Sequence, residues 1–142
     1  MTQQLIAAGV QSDLAVITSH SYTSNPSNPI NTTLPVWVTE IADLDDAFSA
    51  PWYSSGAQNE GMTWALRIYT AVVNARCSAY LYWEGIEDGT TSSCLIQISG
   101  TTVTPSSRLW AFAQWSRFVR PGAVRVGTSG SGTGLQLSLI HI

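Results

Sequence analysis

Lysine is absent from this chain of 142 residues, and charge of either sign is scarce: six arginines and nine carboxylates make up 11% of the sequence, for a net charge of −3. The arginines do not cluster. Nucleic-acid and anionic-membrane surfaces gather basic side chains on one face, so neither partner is expected. No apolar run approaches the roughly 20 residues that span a bilayer. The first ten residues, MTQQLIAAGV, have neither the basic start nor the apolar centre of a secretion signal. Cysteine is nearly missing too. Cys77 and Cys94 lack metal-ligand spacing and leave the redox compartment unresolved; both are expected as small buried residues.

What the chain does have is apolar and aromatic material. Hydrophobic residues account for 44% of it, with six tryptophans and five tyrosines. That suffices for a packed core and excludes a disordered chain. Leu14 to Ile17 reads as a buried strand entering a polar loop, TSHSYTS. Val36 to Thr39 reads as a second strand, and 78–83 (SAYLYW) as a third. Trp64, Ile68, Ala71, Val72 and Ala75 recur at helical spacing within MTWALRIYTAVVNAR. CLIQISGTTVTPSS reads as a hairpin turning at Ser99-Gly100, and SRLWAFAQWSRFVR as a second helix, capped by Ser106 or Ser107 and stopped by Pro121. AVRVG is a last short strand. Short apolar strands alternating with helices indicate an α/β fold with parallel βαβ units.

Functional groups of parallel α/β folds gather at the carboxyl ends of the strands. Here the first strand leads to His20 and Tyr22, the second ends at Glu40, and the third ends at Tyr82-Trp83. An imidazole, a phenol, a carboxylate and an indole on one rim can make a sugar site. The glutamate would attack an anomeric carbon or stabilise its charge, a tyrosine hydroxyl would orient it, and a tryptophan face would stack on a pyranose. Glu60, in Asn59-Glu60, imitates a glycosidase acid/base pair but falls at a helix start, where interaction with the helix dipole explains a carboxylate. Glu84, Glu87 and Asp88 follow the third strand and face the same rim.

LPVWVTEIADLDDAFSAPWYSSG, GMTWALRIYTAVVNARCSAYLYWEG and SSRLWAFAQWSRFVRPGAVRV resemble the C-terminal half of glycoside hydrolase family 30, the fungal xylanase-like members above all. The similarity runs from about Leu14 to Val126. It implies strands six to eight of a partial TIM (β/α)8 barrel leading into a side β-domain: residues 1–121 belong to the barrel and 122–136 begin the side domain. It implies Glu40 as the catalytic nucleophile of a retaining mechanism. His20, Tyr22 and Trp83 would line the substrate site, with Trp52 and Tyr53 forming part of a subsite. No metal and no organic cofactor is implied.

The family's acid/base glutamate follows strand four, upstream of this chain. The chain is therefore expected to be a fragment of a secreted endo-glycosidase that is inactive alone and monomeric when full length. Its partner would be a plant cell-wall polysaccharide, xylan before galactan or glucan. A different reading is a carbohydrate-binding module using Trp52, Trp83 and Trp110, against which Trp110 is expected to be packed within its helix. Residues 137–142 (LSLIHI) match the translation of a transposon end used in sequencing adapters and are expected to be an artefact, with a natural edge strand as the alternative.

Overall fold

The computed structural model describes residues 2–44, 47–89, 93–130 and 139–141. Among these, the elements run α1 (Thr2–Ala7), a 3-10 turn (Val10–Asp13), β1 (Ile17–His20), β2 (Val36–Glu40), α2 (Gly61–Tyr69), a π-helical turn (Thr70–Asn74), β3 (Ala79–Tyr80), β4 (Ile86–Asp88), β5 (Ile96–Ser99), β6 (Thr102–Pro105), α3 (Ser107–Phe118), β7 (Val124–Val126) and β8 (Leu139–His141). The chain is mixed α/β, as its pattern implies. β1, β2 and β3 form a parallel sheet in that order, β4 lies parallel to β5 with β6 antiparallel, and β7 pairs antiparallel with β8.

Sequence and structure differ at several places. The first strand is displaced: Ile17–His20 is extended and Leu14–Val16 precedes it, because the pairing partner, not the apolar run, sets the register. The third strand shortens to Ala79–Tyr80. Its ladder nevertheless continues, with Leu81 N–H donating to Val38 O at 2.9 Å and Trp83 N–H to Ile41 O at 2.8 Å. The helix expected through Arg76 is α-helical only to Tyr69 and then widens to π geometry. The wide turn rotates the apolar face, so Val73 rather than Val72 is buried. Arg76, at φ 59°, ends it in the left-handed region. The stretch after Trp83, where no strand was expected, contains β4.

The helix α3 follows the sequence reading closely. Ser106 Oγ accepts from Leu109 N–H at 3.3 Å, and the helix ends before Pro121. The hairpin β5–β6 turns at Gly100-Thr101, one residue beyond the expected Ser99-Gly100, because Ser99 pairs with Thr102 and Gly100 holds φ 58°. Leu139–His141, inside the suspected adapter segment, pairs antiparallel with β7.

The core joins the parallel sheet to both long helices. Val38, Ile41, Trp64, Ala71, Ala75, Cys77 and Ala111 form its buried centre. Trp64 is wholly buried and meets Tyr82 edge-on at 5.0 Å between ring centroids. Cys77 and Cys94 are both buried, as expected. The other face of the sheet is open: Trp37 and Leu81 are 40% and 48% exposed.

Candidate active site

The site begins with an irregularity in β2. Ile17, Thr18 and Ser19 pair with Val36, Trp37 and Val38, but His20 pairs with Glu40, so β2 carries one extra residue, Thr39. A strand alternates faces with period two. Val38 and Ile41 are both in the core although three residues apart, which requires the skipped residue. The bulge thereby frees Glu40 from the core alternation and sets it level with His20. Ser21 N–H donates to Glu40 O at 3.0 Å and fixes the two strand ends together.

The Glu40 side chain is 27% exposed. Tyr22 donates its hydroxyl to Glu40 Oε1 at 2.7 Å, and His20 Nδ1 lies 3.3 Å from the same oxygen. The His20 and Tyr22 rings meet edge to face, 6.0 Å apart and 77° inclined. Burial, the hydrogen bond to Glu40 and the nearby negative charge together push the Tyr22 hydroxyl up to about 12. It therefore remains a proton donor at any ordinary pH. A short charge-assisted bond to one oxygen fixes the rotamer of the carboxylate and leaves its other oxygen for a further partner.

Trp83 shares a cavity with Tyr22, and neither Glu40 nor His20 is among the lining residues. Trp83 is 54% exposed and lines this open cavity of about 360 Å³ with Tyr22, Ala42, Asp43, Leu44 and Ser93. A larger cavity, about 690 Å³, lies by Cys77, Ser78 and the end of α3 and contains none of the candidate residues. Trp52 and Tyr53 are 41% and 64% exposed, but neither lines the Tyr22–Trp83 cavity. Trp52 packs instead on the start of α2, where a Cβ on Gly61 would lie 2.6 Å from its ring. Trp110, expected to be packed, is 54% exposed; it sits on the side of α3 away from buried Arg108 and Ala111.

The other carboxylates have separate occupations. Glu60 does not bond the first turn of α2. Its buried carboxylate accepts the N–H groups of Ser54, Ser55 and Gly56 at 2.9, 2.8 and 3.0 Å. These amides, with the Ser55 hydroxyl, pull its pKa down to about 2. Glu60 is the N-cap residue of α2, at the helix start where the sequence reading put it, and its carboxylate also fastens the preceding loop. Glu84 is pushed up from the usual carboxylate range by a hydrogen bond with Glu87 and by burial.

Sequence reasoning missed one element beneath the rim. Asp43, three residues past Glu40, forms a fully buried ion pair with Arg108 Nη1. Its backbone N–H donates to Tyr82 Oη at 3.2 Å, and the Tyr82 hydroxyl donates to Ser93 O. One signal was available. A cation in the first turn of a helix opposes the macrodipole, so Arg108 at that position points to a partner elsewhere. Among the described residues, no group of three His, Cys, Asp or Glu is disposed to hold a metal, and no helix is long and apolar enough to cross a membrane.

The arrangement is a carboxylate bonded by a phenol at the end of a parallel strand, with an exposed indole lining a cavity that the same phenol lines. No family model matches the chain, but solved structures do. The catalytic domain of the glycoside hydrolase family 30 xylanase C from Talaromyces cellulolyticus is 55% identical over 93% of this chain, with a TM-score of 0.88. The chain therefore belongs to glycoside hydrolase family 30. It spans 30% of that structure's length. A conserved exported protein from Bacteroides fragilis, 17% identical over 84% of this chain with a TM-score of 0.57, shares the fold and likewise extends well beyond it, the chain covering 30% of it.

Proposed function

We propose that this chain is the C-terminal part of a retaining endo-glycosidase that cleaves plant cell-wall polysaccharide, an endo-β-1,4-xylanase before a β-1,6-galactanase or glucanase. In this reading β1, β2 and β3 are strands six, seven and eight of a (β/α)8 barrel, and residues 122–136 lead into a side β-domain. The 55%-identical relative supports it, since that protein is a xylanase. So does the open sheet face at Trp37 and Leu81, because parallel sheets are normally covered on both sides. The complete protein is secreted and monomeric, and its partner is the polysaccharide.

The observation that carries the reading is the Tyr22–Glu40 bond of 2.7 Å. Glu40 attacks the anomeric carbon and forms a glycosyl ester while an acid protonates the departing oxygen. Water then releases the sugar. Tyr22 holds the carboxylate on line, His20 flanks it, and Trp83 stacks on the sugar ring. Retention needs the second carboxyl roughly 5–5.5 Å away. Glu60 and Asp43 are tied to backbone amides and to Arg108, and the family resemblance implies an acid/base after strand four, in another segment of the barrel. The chain by itself is then inactive.

Covalent trapping tests this. In the complete catalytic domain, a 2-fluoro-xylobioside with a good leaving group should add its glycosyl mass to the peptide containing Glu40. Labelling of any other carboxylate rejects the assignment. A non-catalytic carbohydrate-binding domain is the second reading, and the exposure of Trp110 together with Trp52 and Trp83 favours it; it gives no reason for a carboxylate held by a tyrosine and a histidine.

A further inference from the structure

Two rim segments meet at the candidate site, one after β2 and one before β5, and one side chain holds both. Arg108 donates to Asp43 Oδ2, to Ala47 O at 3.3 Å and to Cys94 O at 3.1 Å. Asp43 belongs to the segment that leaves Glu40, and Cys94 adjoins Ser93, the acceptor of the Tyr82 hydroxyl. Asp43 and Ser93 both line the cavity with Tyr22 and Trp83. Gln58 Nε2 adds a bond to the other Asp43 oxygen at 3.3 Å. Trp83 N–H is meanwhile bonded to Ile41 O at 2.8 Å, so the indole and the carboxylate share the same backbone frame.

We propose that Arg108 is a positioning residue for the Glu40 site: its guanidinium clamps the segment leaving Glu40 to the segment flanking Trp83, fixing the distance between nucleophile and sugar platform. This rests on the function proposed above. Arginine suits the task because its planar fork serves several acceptors at once, whereas lysine presents a single point charge. A fully buried cation is retained only with partners, and Asp43, Ala47 and Cys94 supply acceptors from two different rim segments. Arg108 touches no substrate; it acts through Asp43 and the loop backbones.

The test uses R108M, R108K and E40Q in the complete catalytic domain. Hydrogen exchange by mass spectrometry reads the clamp, and steady-state hydrolysis of an aryl xylobioside reads its consequence. In R108M, peptides covering residues 41–44 and 93–95 should exchange faster together while those of β1 and α2 keep their protection. A displacement near 1 Å costs on the order of 100-fold in kcat, so kcat and kcat/KM should fall together by about that factor with KM nearly unchanged. R108K should keep the charge opposite Asp43 and recover part of both readouts. It also serves as the informative variant should R108M not fold.

The proposal is overturned by loosening of only one of the two segments, or by an R108M turnover within about twofold of wild type, since that is under 0.5 kcal/mol of transition-state stabilisation. E40Q separates the two claims. Full turnover in E40Q rejects the assigned nucleophile and leaves the exchange result to judge the clamp.

Discussion

Replacing Tyr22 by phenylalanine deletes one hydroxyl and keeps the ring that packs against the core and meets His20 edge-on. The lost interaction is a bond of 2.7 Å to Glu40 Oε1. Hydrogen bonds to charged groups are worth about 1.5–3 kcal/mol net. The lower end applies here, because Glu40 is 27% exposed to water and His20 Nδ1 remains 3.3 Å from the same oxygen. About 1.5 kcal/mol corresponds to roughly a tenfold loss of rate if the bond aims the carboxylate at the moment of attack. The assay is steady-state hydrolysis of a xylo-oligosaccharide by the complete catalytic domain, alongside thermal unfolding of the same samples. The expected outcome for Y22F is a fall in kcat and kcat/KM together, with KM little changed and folding retained. Turnover equal to wild type would show that Tyr22 does not orient the nucleophile. A rise in KM alone would make it a substrate contact instead.

Two stability predictions follow from the same packing. Glu60 has a folded-state pKa of about 2 against an ordinary value of 4.5, so its stabilisation is complete above the higher value and disappears as pH falls through the lower one. E60Q should therefore lie below wild type in urea melts at neutral pH, with the gap closing between those two pH values; a gap constant with pH would mean that charge on the fastener is irrelevant. Trp64, wholly buried between Tyr82 and Phe112, should cost about 3–5 kcal/mol when replaced by alanine. Near-UV circular dichroism and urea unfolding of W64A check this, and a midpoint shared with wild type would mean the aromatic cluster contributes little.

Features governed by local rules were legible in the chain's own pattern. An apolar stretch ending in Thr-Glu made a strand with Glu40 at its end. A serine before an apolar-faced run made α3 begin at its cap, and Gly100 marked the hairpin. The motifs also carried the family, because they record residue identity along the chain and need no geometry. Short contacts of this kind are written in spacing and side-chain type, which a linear reading recovers.

Packing between distant segments settled the rest. The bulge at Thr39 that levels His20 with Glu40 depends on which strand lies alongside, not on either strand's own pattern. The Asp43–Arg108 pair joins residues 65 positions apart, and its partners are chosen by how α3 docks on the sheet. Glu60, placed at a helix start by sequence, was taken by three amides of the preceding loop. Trp110, one of several apolar residues in α3, was left outside because the docking face was set by Arg108 and Ala111. A linear pattern marks which groups suit burial or a turn. Only the folded arrangement selects among competing partners, because the cost of leaving a buried charge or amide unpaired is felt once water has been excluded.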